Sequence, residues 1–303
     1  MRIKINHKFK RVYKNNNVLI ENFRMEEEVE RDMSIMETKE LSISYGDRKI
    51  VSDLTVEIPK GKITTIIGPN GCGKSTILKT MSRILKPTSG DIYLDGKAIQ
   101  KQSTKEIAKK MAILPQIPES PGGLTVAELV SYGRFPHQKG FGKLKESDKN
   151  IIYWALEVTG MLEFKDRPLE ALSGGQRQRV WIAMVLAQET DLLLLDEPTT
   201  YLDLAHQLEI LQLLQTLNQQ ENRTIAMVIH DLNHAARFAD YMIAVNSGEV
   251  VCKGTPDEVM TPEVLGKVFG IDAEIVRDPR TNKPVCLTYD LMPAIGATTP
   301  AAV

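Results

Sequence analysis

The run Gly68-Pro69-Asn70-Gly71-Cys72-Gly73-Lys74-Ser75 constrains this 303-residue chain more than any other feature. It follows a short β-rich run at residues 62–67 and precedes a helical pattern at residues 75–85. In a strand–loop–helix setting, a G-x-x-x-x-G-K-[ST] loop is a phosphate cradle. The glycines let the backbone turn sharply and aim N–H groups at phosphate oxygens, and the helix adds its positive N-terminal end. Lys74 brings a point charge to the β/γ-phosphates, the Ser75 hydroxyl suits a magnesium ion, and Thr76 adds a hydroxyl on the α-phosphate side. Cys72 lies next to Lys74 and the helix end, which could depress its pKa; it reads more simply as a neutral spacer. Alone, the loop says only that a nucleoside triphosphate binds.

Residues 192–195 are four leucines followed by Asp196 and Glu197. Carboxylates buried at a strand end are costly unless paired or bound to metal. Asp196 fits a magnesium partner. Glu197, on the other side of the pleat, fits a group that polarises a water for attack on a γ-phosphate. Further upstream, Leu172-Ser173-Gly174-Gly175-Gln176 precedes a helix at residues 176–188. Ser173 reads as an N-cap, and Gly174 and Gly175 expose backbone donors at the helix start. That is a second anion-type turn in a chain with one phosphate loop, and on physical grounds it could cap a helix and nothing more.

The patterning predicts strands at residues 38–45, 54–58, 91–94, 112–114 and 224–229, and a hairpin of residues 241–245 and 249–252 around Ser247-Gly248. Helical periodicity covers residues 125–132, 147–161, 204–217 and 232–239. Strand–helix alternation predicts an α/β nucleotide-binding core. The all-β start and the mostly helical stretch 117–188 predict an antiparallel β subdomain and an inserted helical subdomain. Expected boundaries are an extension over residues 1–34, a main domain over 35–280, and a C-terminal segment over 281–303 whose last residues, 292–303, fray.

Charge balance narrows the partners. Lys plus Arg is 38 and Asp plus Glu is 39, so the net charge of -1 gives no global attraction to nucleic acid or lipid. The three cysteines, Cys72, Cys252 and Cys286, are too far apart for a disulfide framework or a zinc site and suit a cytosolic chain. The longest apolar runs, such as residues 180–187, fall well short of the ~20 residues a membrane-crossing helix needs. Any membrane role would come through a partner. At the N-terminus, Arg2, Lys4, Lys8, Lys10, Arg11 and Lys14 are followed by an acidic stretch from Glu26 to Asp32. This reads as a disordered tail, a basic arm touching anionic lipid, or a translated leader ahead of a natural start at Met33 or Met36.

With these motifs in this order, the chain resembles the ATP-binding cassette (ABC) ATPases over roughly residues 37–280. Gln116 after Leu114-Pro115 resembles that family's glutamine loop. His230 after the strand at 224–229 resembles its switch histidine. Leu202-Asp203 resembles the loop after the acidic strand, and Tyr45 the aromatic residue that stacks on adenine. The resemblance implies a P-loop core of the ABC type, ATP and Mg2+ as cofactors, and a head-to-tail homodimer. Each ATP would lie between residues 68–76 of one copy and residues 173–176 of the other. Gln116 would reach the magnesium or the attacking water, His230 would contact the γ-phosphate and orient Glu197, and Asp203 would sit at the dimer seam.

Within the family, Gly133-Arg134-Phe135-Pro136-His137, Thr199-Thr200-Tyr201-Leu202-Asp203-Leu204 and His230-Asp231-Leu232-Asn233-His234-Ala235 resemble the importers of iron–siderophore complexes and vitamin B12. So does the stretch from Thr261 to Gly270. The resemblance implies a bacterial importer ATPase at the cytoplasmic face of the membrane. It would serve two integral-membrane permease subunits and an extracytoplasmic substrate-binding protein, with an iron(III)–siderophore cargo. Vitamin B12, haem, a metal ion, or a soluble non-transport role stays open. Residues 133–142, with Phe135 and Phe141 flanked by basic side chains, form an expected docking surface for a cytoplasmic helix of the membrane subunit.

Overall fold

The computed structural model describes residues 12–14, 17–19, 34–116, 118, 121–138, 144–200 and 202–292. Within residues 1–32, β1 (Val12–Lys14) pairs antiparallel with β2 (Asn17–Leu19). The expectations placed on the rest of residues 1–33, on Phe141, on Tyr201 and on residues 293–303 lie outside the described residues.

The first part of the main unit is antiparallel. β3 (Ser34–Tyr45) pairs with β4 (Arg48–Leu54) and, nearer its start, with β5 (Glu57–Pro59). The continuous strand expected over residues 54–58 is therefore two strands. Thr38 explains the break: its hydroxyl donates to Leu54 O at 2.9 Å and accepts from Val56 N at 3.0 Å, satisfying the backbone where the ladder changes partner. β3 also begins earlier than expected, with Ile35 and Met36 buried and Ile35 O accepting from Asp95 N.

The chain then enters the core through β6 (Ile63–Ile67) and α1 (Lys74–Met81). It returns to the antiparallel sheet as β7 (Ser89–Leu94) and β8 (Lys97–Ala98), then passes the short α2 (Thr104–Ile107) to β9 (Met111–Leu114). The helices α3 (Val126–Ser131), α4 (Glu146–Val158) and α5 (Gly174–Ala187) follow; among the described residues, no strand lies between them, and Thr125 and Pro168 form an isolated bridge. β10 (Leu192–Asp196), α6 (Leu204–Glu221), β11 (Thr224–Val228), α7 (Leu232–Phe238), β12 (Tyr241–Asn246) and β13 (Glu249–Gly254) complete the core. Its sheet order is β13-β12-β6-β11-β10-β9, parallel except for β13.

The parallel strands are mostly apolar, and β6, β10 and β11 are buried along their whole length, because helices and the second sheet cover both faces. Leu193 and Leu195 of β10 join one hydrophobic cluster with Val180, Ala183 and Leu186 of α5. Leu192 and Leu194 join the other with Ile77, Leu78 and Met81 of α1 and with Ile43, Ile58 and Ile92 of the antiparallel sheet. Ser247 and Gly248, with φ of 49° and 81°, make the tight turn of the β12–β13 hairpin.

Beyond β13, α8 (Pro256–Val259) and α9 (Pro262–Phe269) lead into an antiparallel hairpin of β14 (Ile271–Arg277) and β15 (Pro284–Leu291). A boundary at residue 280 falls inside its turn. Asn233 of α7 ties β15 to the core by donating to Cys286 O and accepting from Cys286 N. Met292, expected to fray, donates its N–H to Gly270 O at 2.9 Å.

Candidate nucleotide site

Strand register brings the site together. Ile66, Val228 and Asp196 are level across β6, β11 and β10, and Leu195 is level with Leu114 of β9. One or two residues past these positions come Gly68, His230, Glu197 and Gln116. Residues up to 162 positions apart thus converge because parallel strands all present their C-terminal ends on one edge, where such sheets bind ligands.

The phosphate loop has the geometry its glycines permit. Gly68 has φ of 155°, and a Cβ there would lie 2.1 Å from Val245 O. Gly73 has φ of 106° and caps α1 without a side chain, leaving the first helical N–H groups facing the loop. Lys74 is buried, and its ammonium donates to Gly68 O at 2.8 Å and Pro69 O at 2.9 Å, which leaves one proton for another acceptor. Cys72 is 5% exposed, and burial raises its thiol pKa, outweighing the lowering by Lys74. That direction is opposite to the one that activates a thiolate. The side chain fills space beneath the loop.

Asp196 is 1% exposed. Its Oδ1 accepts the Ser75 hydroxyl at 2.9 Å, while Oδ2 has no hydrogen-bond partner. Burial raises its pKa; Ser75 pulls it back, and neighbouring Glu197 pushes it further up. A buried, half-satisfied carboxylate beside a hydroxyl oxygen fits a hard divalent cation. Mg2+ characteristically takes one or two protein oxygens and completes its shell with phosphates and water.

Glu197 does not follow the pleat expected for it. The strand ends at Asp196, and Glu197 has φ of 53°, a left-handed conformation, so a turn directs its carboxylate. Three groups hold it there. Gln116 Nε2 donates to Oε2 at 2.7 Å, the Thr200 hydroxyl donates to Oε2 at 2.9 Å, and His230 Nε2 reaches Oε1 at 2.6 Å. Burial raises the Glu197 pKa, but these hydrogen bonds overcome it and the net shift is downward. An ionised carboxylate therefore stands beside the cation-type pair of Ser75 and Asp196. Thr200 was not among the expected residues; its signal was the hydroxyl three positions after Glu197. Asp231 is another such residue. Its side chain caps α7 by accepting from His234 N, which fixes the turn carrying His230.

Other expected residues stand apart. Tyr45 lies at the tip of the β3–β4 hairpin, 53% exposed. Ser173 caps α5 in a reciprocal pair: its hydroxyl accepts from Gln176 N, and Gln176 Oε1 accepts from Ser173 N. Ser173 and Gly174 are exposed. Asp203 is exposed and caps α6 through His206 N. Among the described residues, no hydrogen bond or ion pair joins Ser173, Gln176 or Asp203 to the phosphate loop.

At residues 132–137, the basic flank expected around Phe135 is turned inward. Arg134 is 4% exposed and donates to Asp148, Ala187 O and Glu189, tying that segment to α4 and α5. His137 Nε2 pairs with Gln188 O. Phe135 itself is 56% exposed and stacks on Tyr132 with ring centroids 4.8 Å apart.

Fold and site together define a phosphate-loop nucleoside triphosphatase. Residues 51–200 match the ABC transporter family model. The chain is 72% identical over 260 residues to the iron(3+)-hydroxamate import ATP-binding protein FhuC of Bacillus subtilis (strain 168), covering 86% of this chain and 97% of that protein. It is 46% identical over 247 residues to the ferric enterobactin transport ATP-binding protein FepC of Escherichia coli (strain K12), covering 82% and 91%. A dimeric ATP-binding cassette solved in a post-hydrolysis state with ADP and Pi superposes with a TM-score of 0.65 at 30% identity, covering 73% of this chain and 98% of that one. The chain belongs to the ABC transporter family, as an ATP-binding and ATP-hydrolysing subunit. Among the described residues, no helix is long and apolar enough to cross a membrane.

Proposed function

We propose that this chain hydrolyses ATP to energise uptake of an iron(III)–siderophore complex, of the hydroxamate kind, through two separate permease subunits. It would sit at the cytoplasmic face of the membrane, with a substrate-binding protein delivering cargo on the other side. The cargo assignment is supported by the names of the relatives, which import iron-hydroxamate and ferric enterobactin.

What carries the chemical reading is Glu197, held ionised by Gln116, Thr200 and His230 beside Ser75 and Asp196. Two copies pack head to tail, so that residues 68–76 of one and residues 173–176 of the other enclose each ATP. Tyr45 stacks on adenine. Lys74, the loop amides from Asn70 to Gly73 and the Thr76 hydroxyl bind the phosphates. Across the seam, the Ser173 hydroxyl proton and the Gly174 and Gly175 amides meet the γ-phosphate, beside the Gln176 cap. Asp203 lies where the copies touch. Ser75 and Asp196, with Gln116 within reach, hold Mg2+, which when bound neutralises charge developing on the transferred phosphoryl group. Glu197 accepts a proton from the water it orients, and His230 keeps the carboxylate aligned and contacts the γ-phosphate. Phe135 and Tyr132 form the surface that receives a cytoplasmic helix of the permease.

Uptake of radiolabelled iron–hydroxamate complex by cells carrying the gene with its permease genes tests the cargo. Loss of uptake with Glu197→Gln supports the proposal. Undiminished iron uptake, with loss of vitamin B12, haem or metal-ion uptake instead, overturns it. Phe135→Asp is expected to lower uptake while ATP hydrolysis by the isolated chain changes little.

A further inference from the structure

Two of the proposed seam elements, the Ser173–Gly175 turn and Asp203, lie on different segments of the chain, and one side chain is bonded to the second and lies beside the first. The ring of His206, on the first turn of α6, places Nδ1 2.7 Å from Asp203 Oδ1. The same oxygen accepts His206 N at 2.9 Å, and these bonds hold the Asp203 carboxyl below its ordinary pKa. An ionised carboxylate can only accept, so the imidazole donates through Nδ1–H, which fixes its tautomer and ring orientation. The opposite edge of the ring lies beside the signature turn, about one methyl group away from it. A Cβ built on Gly175 would lie 3.5 Å from His206 Cδ2 and 3.6 Å from Leu202 Cδ2, so the ring and Leu202 flank the space in front of the turn.

We infer that His206 is a positioning residue for ATP hydrolysis, clamping Asp203 and the Gly175 turn of one copy into a single rigid element. The inference rests on the shared-pocket reading above. The segment leading to Asp203 begins at Glu197, so the clamp joins a copy's own hydrolytic carboxylate to the turn that it lends to the other copy's pocket. Two other links from α5, one to the segment after Glu197 and one to α6, do not depend on His206. Gln178 Nε2 donates to Pro198 O at 2.9 Å, and Arg179 pairs with Glu209. Removing the imidazole therefore loosens the tip and leaves these two links in place. The ring is half exposed in the single chain, as are Asp203 and Leu204 beside it, which suits a residue completed by a second copy.

The test uses the full chain carrying Glu197→Gln, in which ATP-dependent dimers accumulate, followed by light scattering against ATP and protein concentration. Adding His206→Ala should raise the concentration needed for dimerisation about tenfold. Fluorescent-ATP binding to the monomer should not change, because the phosphate loop and Tyr45 are untouched. His206→Asn, whose side-chain amide can stand in for Nδ1–H, should restore dimerisation. In the chain with Glu197 intact, His206→Ala should lower kcat and leave KM for ATP nearly unchanged. Equal dimerisation by the His206→Ala variant and its parent overturns the inference alone, as does an asparagine variant no better than alanine. Absence of ATP-dependent dimers in Glu197→Gln itself overturns the shared-pocket reading and the inference with it.

Discussion

The sheet edge at Gly68, Asp196 and Glu197 and the helix start at Ser173 are both anion-type sites, but they are built in opposite ways. At the sheet edge the carboxylates are buried, and hydrogen bonds reach them from residues as far away as Ser75, Gln116 and His230. At the helix start, Ser173 and Asp203 are exposed, and among the described residues their side-chain hydrogen bonds reach only three residues along the chain. The first site is finished by folding, which positions donors before any ligand arrives. The second has a cap, free amides and a hydroxyl proton facing outward, with no phosphate loop of its own. Such a contrast makes sense if the second site completes a pocket on another copy.

Breaking the finished half should have the largest effect. Glu197→Gln removes the proton acceptor while keeping the hydrogen bonds to Gln116 and Thr200 largely satisfiable. Hydrolysis by the isolated chain should fall about 10³-fold, with ATP-bound dimer accumulating on gel filtration. Breaking the outward half should cost less. Ser173→Arg should lower turnover by ~10²-fold while leaving equilibrium ATP binding to the monomer unchanged, as calorimetry can measure.

A third site shows what folding alone can finish. Arg134 and Asp148 form a buried pair away from both halves, and Arg134→Leu leaves Asp148 buried without its partner. The expected loss is about 3 kcal/mol, seen as a Tm fall of roughly 6–10 °C. Burial tends to raise the Asp148 carboxyl, but Arg134 and the Lys145 amide hold it below its ordinary value. Its stabilisation is therefore present above the unfolded-state pKa and lost as pH falls through the folded one. The Tm gap between the parent and Asp148→Asn should be full at pH 7 and close on strong acidification. The smallest effect belongs to Cys72. Being buried with a raised pKa, it should react with iodoacetamide more slowly than Cys252, and modification of Cys252 should leave hydrolysis intact.

What the sequence made legible follows the same division. The phosphate loop, the leucine strand ending in Asp196 and the Ser173 cap are local patterns, and each sits where its residues imply. The hydrogen bonds that finish the site are not local. Gln116 and Glu197 are 81 positions apart, and no spacing rule links them. Arg134 read as part of the basic flank of a docking surface because nothing nearby in sequence announces Asp148 or Glu189. β4 was hidden because Arg48, Lys49, Ser52 and Asp53 make an edge strand look like a loop. The β14–β15 hairpin escaped because Leu287, Tyr289 and Leu291 are exposed and Glu274 marks a bulge, so apolar alternation does not trace its buried face.

Specific activity across a wide dilution series addresses the division of labour between copies most directly. The account predicts that turnover per chain falls toward zero at high dilution and climbs with protein concentration to a plateau. Turnover per chain that stays constant at every dilution would mean that one copy holds a complete site, and would contradict it.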